Sequence, residues 1–120
     1  MISKKITIIL GIIIILTICL FFLLIIYSTD IAPYSNFYVK KTEVKDNSIT
    51  ISGYFLSSGL VYKGYEYEIK NNALYFSIKQ GFPTKEFASG DFYIKINEDF
   101  SKIEYIYIRD SKESTLLWEK

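Results

Sequence analysis

Carboxylates are the acid and base groups with which this chain could do chemistry, because it contains no histidine and one cysteine, Cys19. That inventory removes Cys/His zinc sites, a histidine general base and any intramolecular disulfide. Glu98 and Asp99, with Asp91 nearby, form the obvious acidic group for glycoside hydrolysis, where one carboxyl donates a proton and a second acts on the sugar. Their setting argues against it, since Glu98-Asp99 falls between two strand-like runs, where acidic side chains solvate a turn. The same oxygens suit calcium, but the D-x-[DN]-x-[DN]-G spacing is absent. Ser57-Ser58-Gly59 is not a G-x-S-x-G elbow, and a serine there has no ordinary base. Gly59 and Gly64 are followed by no helix that could hold a phosphate. No catalytic residue, metal or cofactor is therefore expected.

Tyrosine placement stands above this background. Tyr54, Tyr62, Tyr75, Tyr93, Tyr105 and Tyr107 all fall, by alternation, opposite the apolar rows assigned inward. On an exposed strand face they stabilise a sheet through cross-strand pairs worth about 0.2 to 1 kcal/mol each. They can equally form an amphipathic recognition surface for a peptide, a wall polymer or a partner protein, because tyrosine supplies contact area at low entropic cost. The candidate binding residues are Tyr75, Tyr93, Tyr105, Tyr107 and Arg109, the last placing a cation beside two aromatic platforms.

The elements that must carry these residues are strands. Half of the 120 residues are apolar, 18% are aromatic and 22% are charged, which excludes disorder and favours a membrane segment, a dense β core, or both. From Phe37 onward, apolar alternation has period two and no helical i, i+3, i+4, i+7 run of any length intervenes. Strands are expected over Phe37 to Lys45, Ser48 to Leu56, Val61 to Lys70, Ala73 to Gln80, Asp91 to Asn97, Lys102 to Arg109 and Thr115 to Glu119. In the third, Val61, Lys63, Tyr65, Tyr67 and Ile69 share one face and Tyr62, Gly64, Glu66 and Glu68 the other. Asn71-Asn72 closes a two-residue hairpin, since paired asparagines tolerate positive φ. Gly53 interrupts an inward row and marks a bulge or close packing. Gly81 to Gly90 is expected to be a crossover loop whose Phe82 and Phe87 tuck under the sheets. Seven strands with a turn roughly every ten residues favour an all-β fold, a small seven-stranded antiparallel sandwich of Ig-like type, with a partly open barrel second.

Ahead of this domain, residues 6–27 run ITIILGIIIILTICLFFLLIIY without a charge and span roughly 33 Å as a helix, one bilayer crossing. Small residues at the −3 and −1 positions of a cleavage site are missing: cutting after Ala32 would place Asp30 at −3 and Pro33 behind the cut. Ile18 before Cys19 is too bulky for a lipobox, so the thiol is expected to be buried and structural. The segment is therefore a signal anchor that places the chain in the lipid bilayer. Residues 1–5 carry Lys4 and Lys5, which set the N-terminus inside the cytoplasm, with residues 28–36 as a tether and residues 37–120 as the domain outside. Twelve of the fourteen basic residues follow the helix, against thirteen acidic ones. That near-neutral balance offers nothing to a nucleic acid.

The run Lys102-Ile103-Glu104-Tyr105-Ile106-Tyr107-Ile108-Arg109-Asp110, closing with Leu116-Leu117-Trp118, together with Ser57-Ser58, Tyr65 and Leu74-Tyr75, is similar to small anchored proteins and lipoproteins of low-GC Gram-positive bacteria. The resemblance covers most of residues 48–120 and implies a sandwich and no activity. The expected function is that of a membrane-anchored binding or accessory module outside the cytoplasm, with a protein or cell-envelope partner. The alternatives are an immunity protein that intercepts a secreted toxin and a small accessory subunit of a membrane complex.

Overall fold

A computed structural model describes residues 3–56 and 59–120; Ser57 and Ser58, read as a break between strands, lie outside the described residues. The apolar run forms one helix, α1 (Lys4–Tyr27), whose first turn is capped by Ser3: its side chain accepts from the Ile6 N–H at 3.3 Å. The Thr7 and Thr17 hydroxyls donate to the carbonyls of Ser3 and Ile13 one turn back, so both polar side chains are satisfied inside the helix. α1 is long and apolar enough to cross a membrane, and none of its side chains is buried by the rest of the chain. Cys19 is exposed on it rather than buried as a structural thiol.

Among the described residues eight strands follow: β1 (Asp30–Ile31), β2 (Phe37–Lys45), β3 (Ser48–Phe55), β4 (Val61–Lys70), β5 (Ala73–Gly81), β6 (Asp91–Asn97), β7 (Tyr105–Arg109) and β8 (Ser114–Glu119). They form a three-stranded sheet in the order β2-β3-β6 and a five-stranded sheet in the order β1-β5-β7-β8, with β4 also on β5. Phe37, Ile49, Ile51, Phe55, Phe92, Ile94 and Ile96 of the first sheet meet Leu74, Phe76, Ile78, Ile106 and Ile108 of the second in one buried cluster. Strong period-two alternation in β6 and β7 is what lets each strand give one face to that cluster and the other to water.

The fold is thus mostly β behind an apolar helix, but it differs from a seven-stranded antiparallel arrangement in two ways. The pair β5·β7 is parallel, with Leu74 beside Ile106 and Phe76 beside Ile108. The eighth strand, β1, comes from the stretch expected as a tether. Asp30 and Ile31 pair with Gln80 and Lys79, the Ala32 N–H donates to the Ile78 carbonyl at 2.7 Å, and Ala32 is buried. Beyond Pro33, the Tyr34 N–H donates to Asp110 Oδ2, and Asn36 Nδ2 donates to Gln80 Oε1. Residues 28–36 are therefore docked along the domain.

Two glycines explain local departures from alternation. Gly53 faces the Tyr38 carbonyl so closely that a Cβ there would collide with it and lie 2.7 Å from Phe92 Cζ, and β2 bulges at the same place, between Val39 and Lys41. Gly64 has φ +128, a value for glycine, and marks a bulge between Tyr62 and Gly64. The Asn71-Asn72 hairpin turns with φ of 52 and 64 and closes the Lys70–Ala73 pair. Phe82 does not tuck under the sheets but stands exposed, whereas Phe87 is half-buried against Tyr62.

Candidate functional site

The outer face of the five-stranded sheet is set by its register. Glu68 pairs with Tyr75, Tyr75 with Tyr107, and Tyr107 with Leu116, so these four form one row across β4, β5, β7 and β8. Beside it run Lys70, Ala73, Tyr105 and Glu119. On the other side stand Glu66 and Ser77, with Ser77 Oγ donating to the Arg109 carbonyl at 2.6 Å. Ile106 and Ile108, at 0% and 1% exposure, anchor the opposite face of β7 and thereby hold Tyr105, Tyr107 and Arg109 toward solvent, as the alternation requires.

These side chains stack into a ladder. The rings of Tyr75 and Tyr107 are 5.1 Å apart and nearly parallel at 11°, and Tyr105 lies 6.2 Å beyond Tyr107. The Arg109 guanidinium carbon stands 5.1 Å from the Tyr75 ring centroid, while Nη2 of the same residue donates to Glu68 Oε2 at 3.0 Å. The cation is thus shared between a π face and a carboxylate. Glu66, Tyr67, Glu68, Ser77 and Arg109 line an open depression of about 370 Å³ beside the ladder. Tyr75 thus contacts both Arg109 and Tyr107.

Tyr75, Tyr105, Tyr107 and Arg109 are therefore one group, and Tyr93 is not part of it. Tyr93 lies on β6, opposite Ser52, on the outer face of the other sheet, where Tyr38 and Tyr54 also stand as a pair 5.5 Å apart. Tyr62, expected outward, turns inward. The extra residue Lys63 in the bulge reverses the face, so Tyr62 pairs with Gln80 and packs against Phe92 with rings 5.9 Å apart. Burial, reinforced by the charge of Tyr65, pushes the Tyr62 phenol up to about 12.

Glu68 and Glu66 complete the group and were not singled out by residue type. Both sit on the outward row of β4 in the alternation; what alternation does not supply is that β5 lies beside β4 and β7 beside β5. The acidic trio has no common site. Asp91 and Glu98 sit at opposite ends of β6, seven residues apart, or roughly 23 Å at about 3.3 Å per residue. Glu98 instead accepts from the Tyr67 hydroxyl at 2.8 Å, a bond that holds the Tyr67 proton and raises its pKa. Asp99 accepts from the hydroxyl and the N–H of Ser101, which lowers its pKa and closes the turn after β6. Among the described residues no three of His, Cys, Asp and Glu converge as metal ligands.

The ladder thus brings together three tyrosine rings, one cation and two carboxylates, with Leu116 at the end of the central row. No family model, no curated protein and no solved structure matches this chain.

Proposed function

We propose that the chain is a single-pass membrane protein of the small anchored kind that its C-terminal residues resemble, with α1 in the bilayer and its N-terminus in the cytoplasm. The two sheets form a small sandwich outside the cytoplasm; its eight strands and its parallel pair set it apart from the seven-stranded Ig-like plan. The domain is a non-catalytic binding module. Its contact surface is the ladder Arg109, Tyr75, Tyr107 and Tyr105, flanked by Glu68 and Glu66.

The observation that carries this reading is the stack itself: four outward side chains from two parallel neighbouring strands held in mutual contact on a solvent-facing sheet. Preordered aromatic and arginine side chains lose little entropy on binding and are the residue types enriched at interface hot spots. Phenol hydroxyls beside an arginine and Glu68 suit a protein or peptide partner, which supplies matching donors, acceptors and apolar area. The membrane part rests on a helix with an uncharged run of 22 residues and no buried side chain, which excludes a core helix.

The test is a photoreactive residue placed at Tyr107 or at Tyr93 of the full chain in its own cells. A discrete cross-link from position 107, lost when Tyr75→Ser is added and absent from position 93, supports the surface. Equal cross-linking from both positions, or none from 107, refutes it. Protease accessibility of residues 37–120 on intact protoplasts tests the orientation in parallel, and protection of that region refutes it.

A further inference from the structure

Only Ser28 and Thr29 separate α1 from β1. Ser28 closes the helix, its N–H and hydroxyl both bonding the Ile25 carbonyl at 3.3 and 2.8 Å. The Ser28 carbonyl then lies against Gly81, the last residue of β5: a Cβ built on Gly81 would be 2.7 Å from it. The loop between β5 and β6 therefore starts at the helix exit. Its first residue, Phe82, is 47% exposed, and Pro83, Lys85 and Glu86 after it are exposed too. The loop is nevertheless tied down. The Thr84 N–H donates to the Phe87 carbonyl, Lys63 Nζ donates to Thr84 Oγ1 at 3.3 Å, and the same ammonium sits 5.6 Å over the Phe87 ring. Phe87 is half-buried by these contacts, while Phe82 is left outside them. An exposed phenylalanine on a held loop is apolar surface that gains by being covered.

We propose that the loop from Phe82 to Phe87 is a membrane foot. Phe82 enters the headgroup and acyl boundary of the leaflet from which α1 emerges, and so fixes the orientation of the domain on the bilayer. This rests on the membrane reading of α1, and the short connection supplies the second observation: two residues leave the domain no room to stand away from the surface. Tyr27, 67% exposed in the last turn of α1, occupies the depth at which aromatic side chains line the membrane boundary, and Phe82 sits at the same end of the domain. Charges of both signs stand near it, Lys63, Lys79 and Lys85 with Asp30 and Glu86. The foot is therefore apolar in its chemistry and requires no anionic lipid.

The experiment uses the full chain reconstituted in phosphatidylcholine vesicles, with Trp118→Phe as background and a single tryptophan introduced by Phe82→Trp, Tyr27→Trp or Asn47→Trp. Asn47 lies in the β2-β3 turn, at the end of the three-stranded sheet opposite Phe37 and Phe55. Lipids brominated near the glycerol should quench position 82 as they quench position 27, at a depth of about 5 to 10 Å below the surface, and leave position 47 unquenched. The quenching at 82 should be unchanged by salt. Quenching at 27 without quenching at 82 overturns the foot and keeps the membrane reading. Absence of quenching at both overturns the two together, and quenching at 47 equal to that at 82 overturns a specific foot. Should Phe82→Trp fail to fold, Phe82→Cys in a Cys19→Ser background carrying a nitroxide gives the same depth by oxygen accessibility, with the same outcomes deciding.

Discussion

The ladder can be measured as a coupling energy. Tyr75→Ser removes the parallel ring contact with Tyr107 and the contact with Arg109; Tyr107→Ser removes the contacts with Tyr75 and Tyr105. An aromatic pair contributes about 0.5 to 1.5 kcal/mol beyond area burial, and an exposed cation–π contact about 0.5 to 1. Tyr75→Ser should therefore cost about 1 to 2.5 kcal/mol and Tyr107→Ser about 1 to 3, summing two such contacts in each case. The double variant should cost less than the sum of the two, by the one contact they share, about 0.5 to 1.5 kcal/mol. The assay is equilibrium urea unfolding followed by the fluorescence of Trp118, which packs against the core and which none of these substitutions removes. A second cycle, Tyr75→Ser with Tyr93→Ser, is the control: the two residues lie on outer faces of different sheets and should be additive within about 0.3 to 0.5 kcal/mol. A Tyr75–Tyr107 coupling no larger than that of the control pair would refute the register from which the site is built. The pairing β5·β7 would then be wrong, whatever the alternation says.

Other outcomes follow from single contacts. Gly53→Ala should destabilise the domain by about 1 to 3 kcal/mol, because the obstructing atom is the Tyr38 backbone carbonyl; Gly90→Ala, whose nearest neighbour would be Phe55 Cβ at 3.9 Å, should be neutral in the same melts. Asp110, held below its ordinary 3.8 by the N–H groups of Glu113, Lys112 and Tyr34, stabilises the docked 28–36 segment above that value. As the pH falls below 3.8, the protection of the Tyr34, Lys112 and Glu113 amides against hydrogen exchange, relative to the intrinsic rate at each pH, should fall, and Asp110→Asn should remove this pH dependence. Tyr62 has the opposite sign: its raised pKa keeps the full contribution below 10.0 and loses it as the pH climbs toward about 12, so Tyr62→Phe should flatten the alkaline arm of a melting series.

How much of this was legible depended on the range of the information needed. The face of β7 follows from Ile106 and Ile108 alone, and the Asn71-Asn72 turn from residue types that accept positive φ; both are local and both hold in the structure. Tyr62 went to the wrong face because one extra residue in a strand inverts every position on one side of it, and Gly64 was the sequence sign of that bulge. β1 is two residues long in a stretch with Pro33 and owes its strand character to Gln80 and Lys79, some fifty positions away. The grouping of the site failed for the same reason. Alternation assigns a tyrosine to a face of its own strand, but not to a sheet, so Tyr93 and Tyr107 look alike until long-range pairing separates them.

The membrane foot and the ladder are joined by β5, and that strand sets what each can do. Gly81 touches the helix exit, whereas Ser77, Tyr75 and Ala73 lie four, six and eight residues further along, roughly 13, 20 and 26 Å at about 3.3 Å per residue. The headgroup layer on one side of a bilayer occupies only about 5 to 8 Å beyond the hydrocarbon core. With β5 inclined up to about 60° from the membrane normal, the proposed foot would hold Phe82 in the headgroup layer while Tyr107, about 10 Å above it, stood clear of lipid. On these two proposals a substitution at the foot should change how the ladder is presented, and one in the ladder should change the contact itself. Phe82→Ser should weaken capture of the partner by vesicle-bound protein and leave affinity unchanged for residues 28–120 in solution; Tyr107→Ser should weaken both. Equal losses for Phe82→Ser in the two settings would show that Phe82 belongs to the partner surface, and the division of labour along β5 would fall.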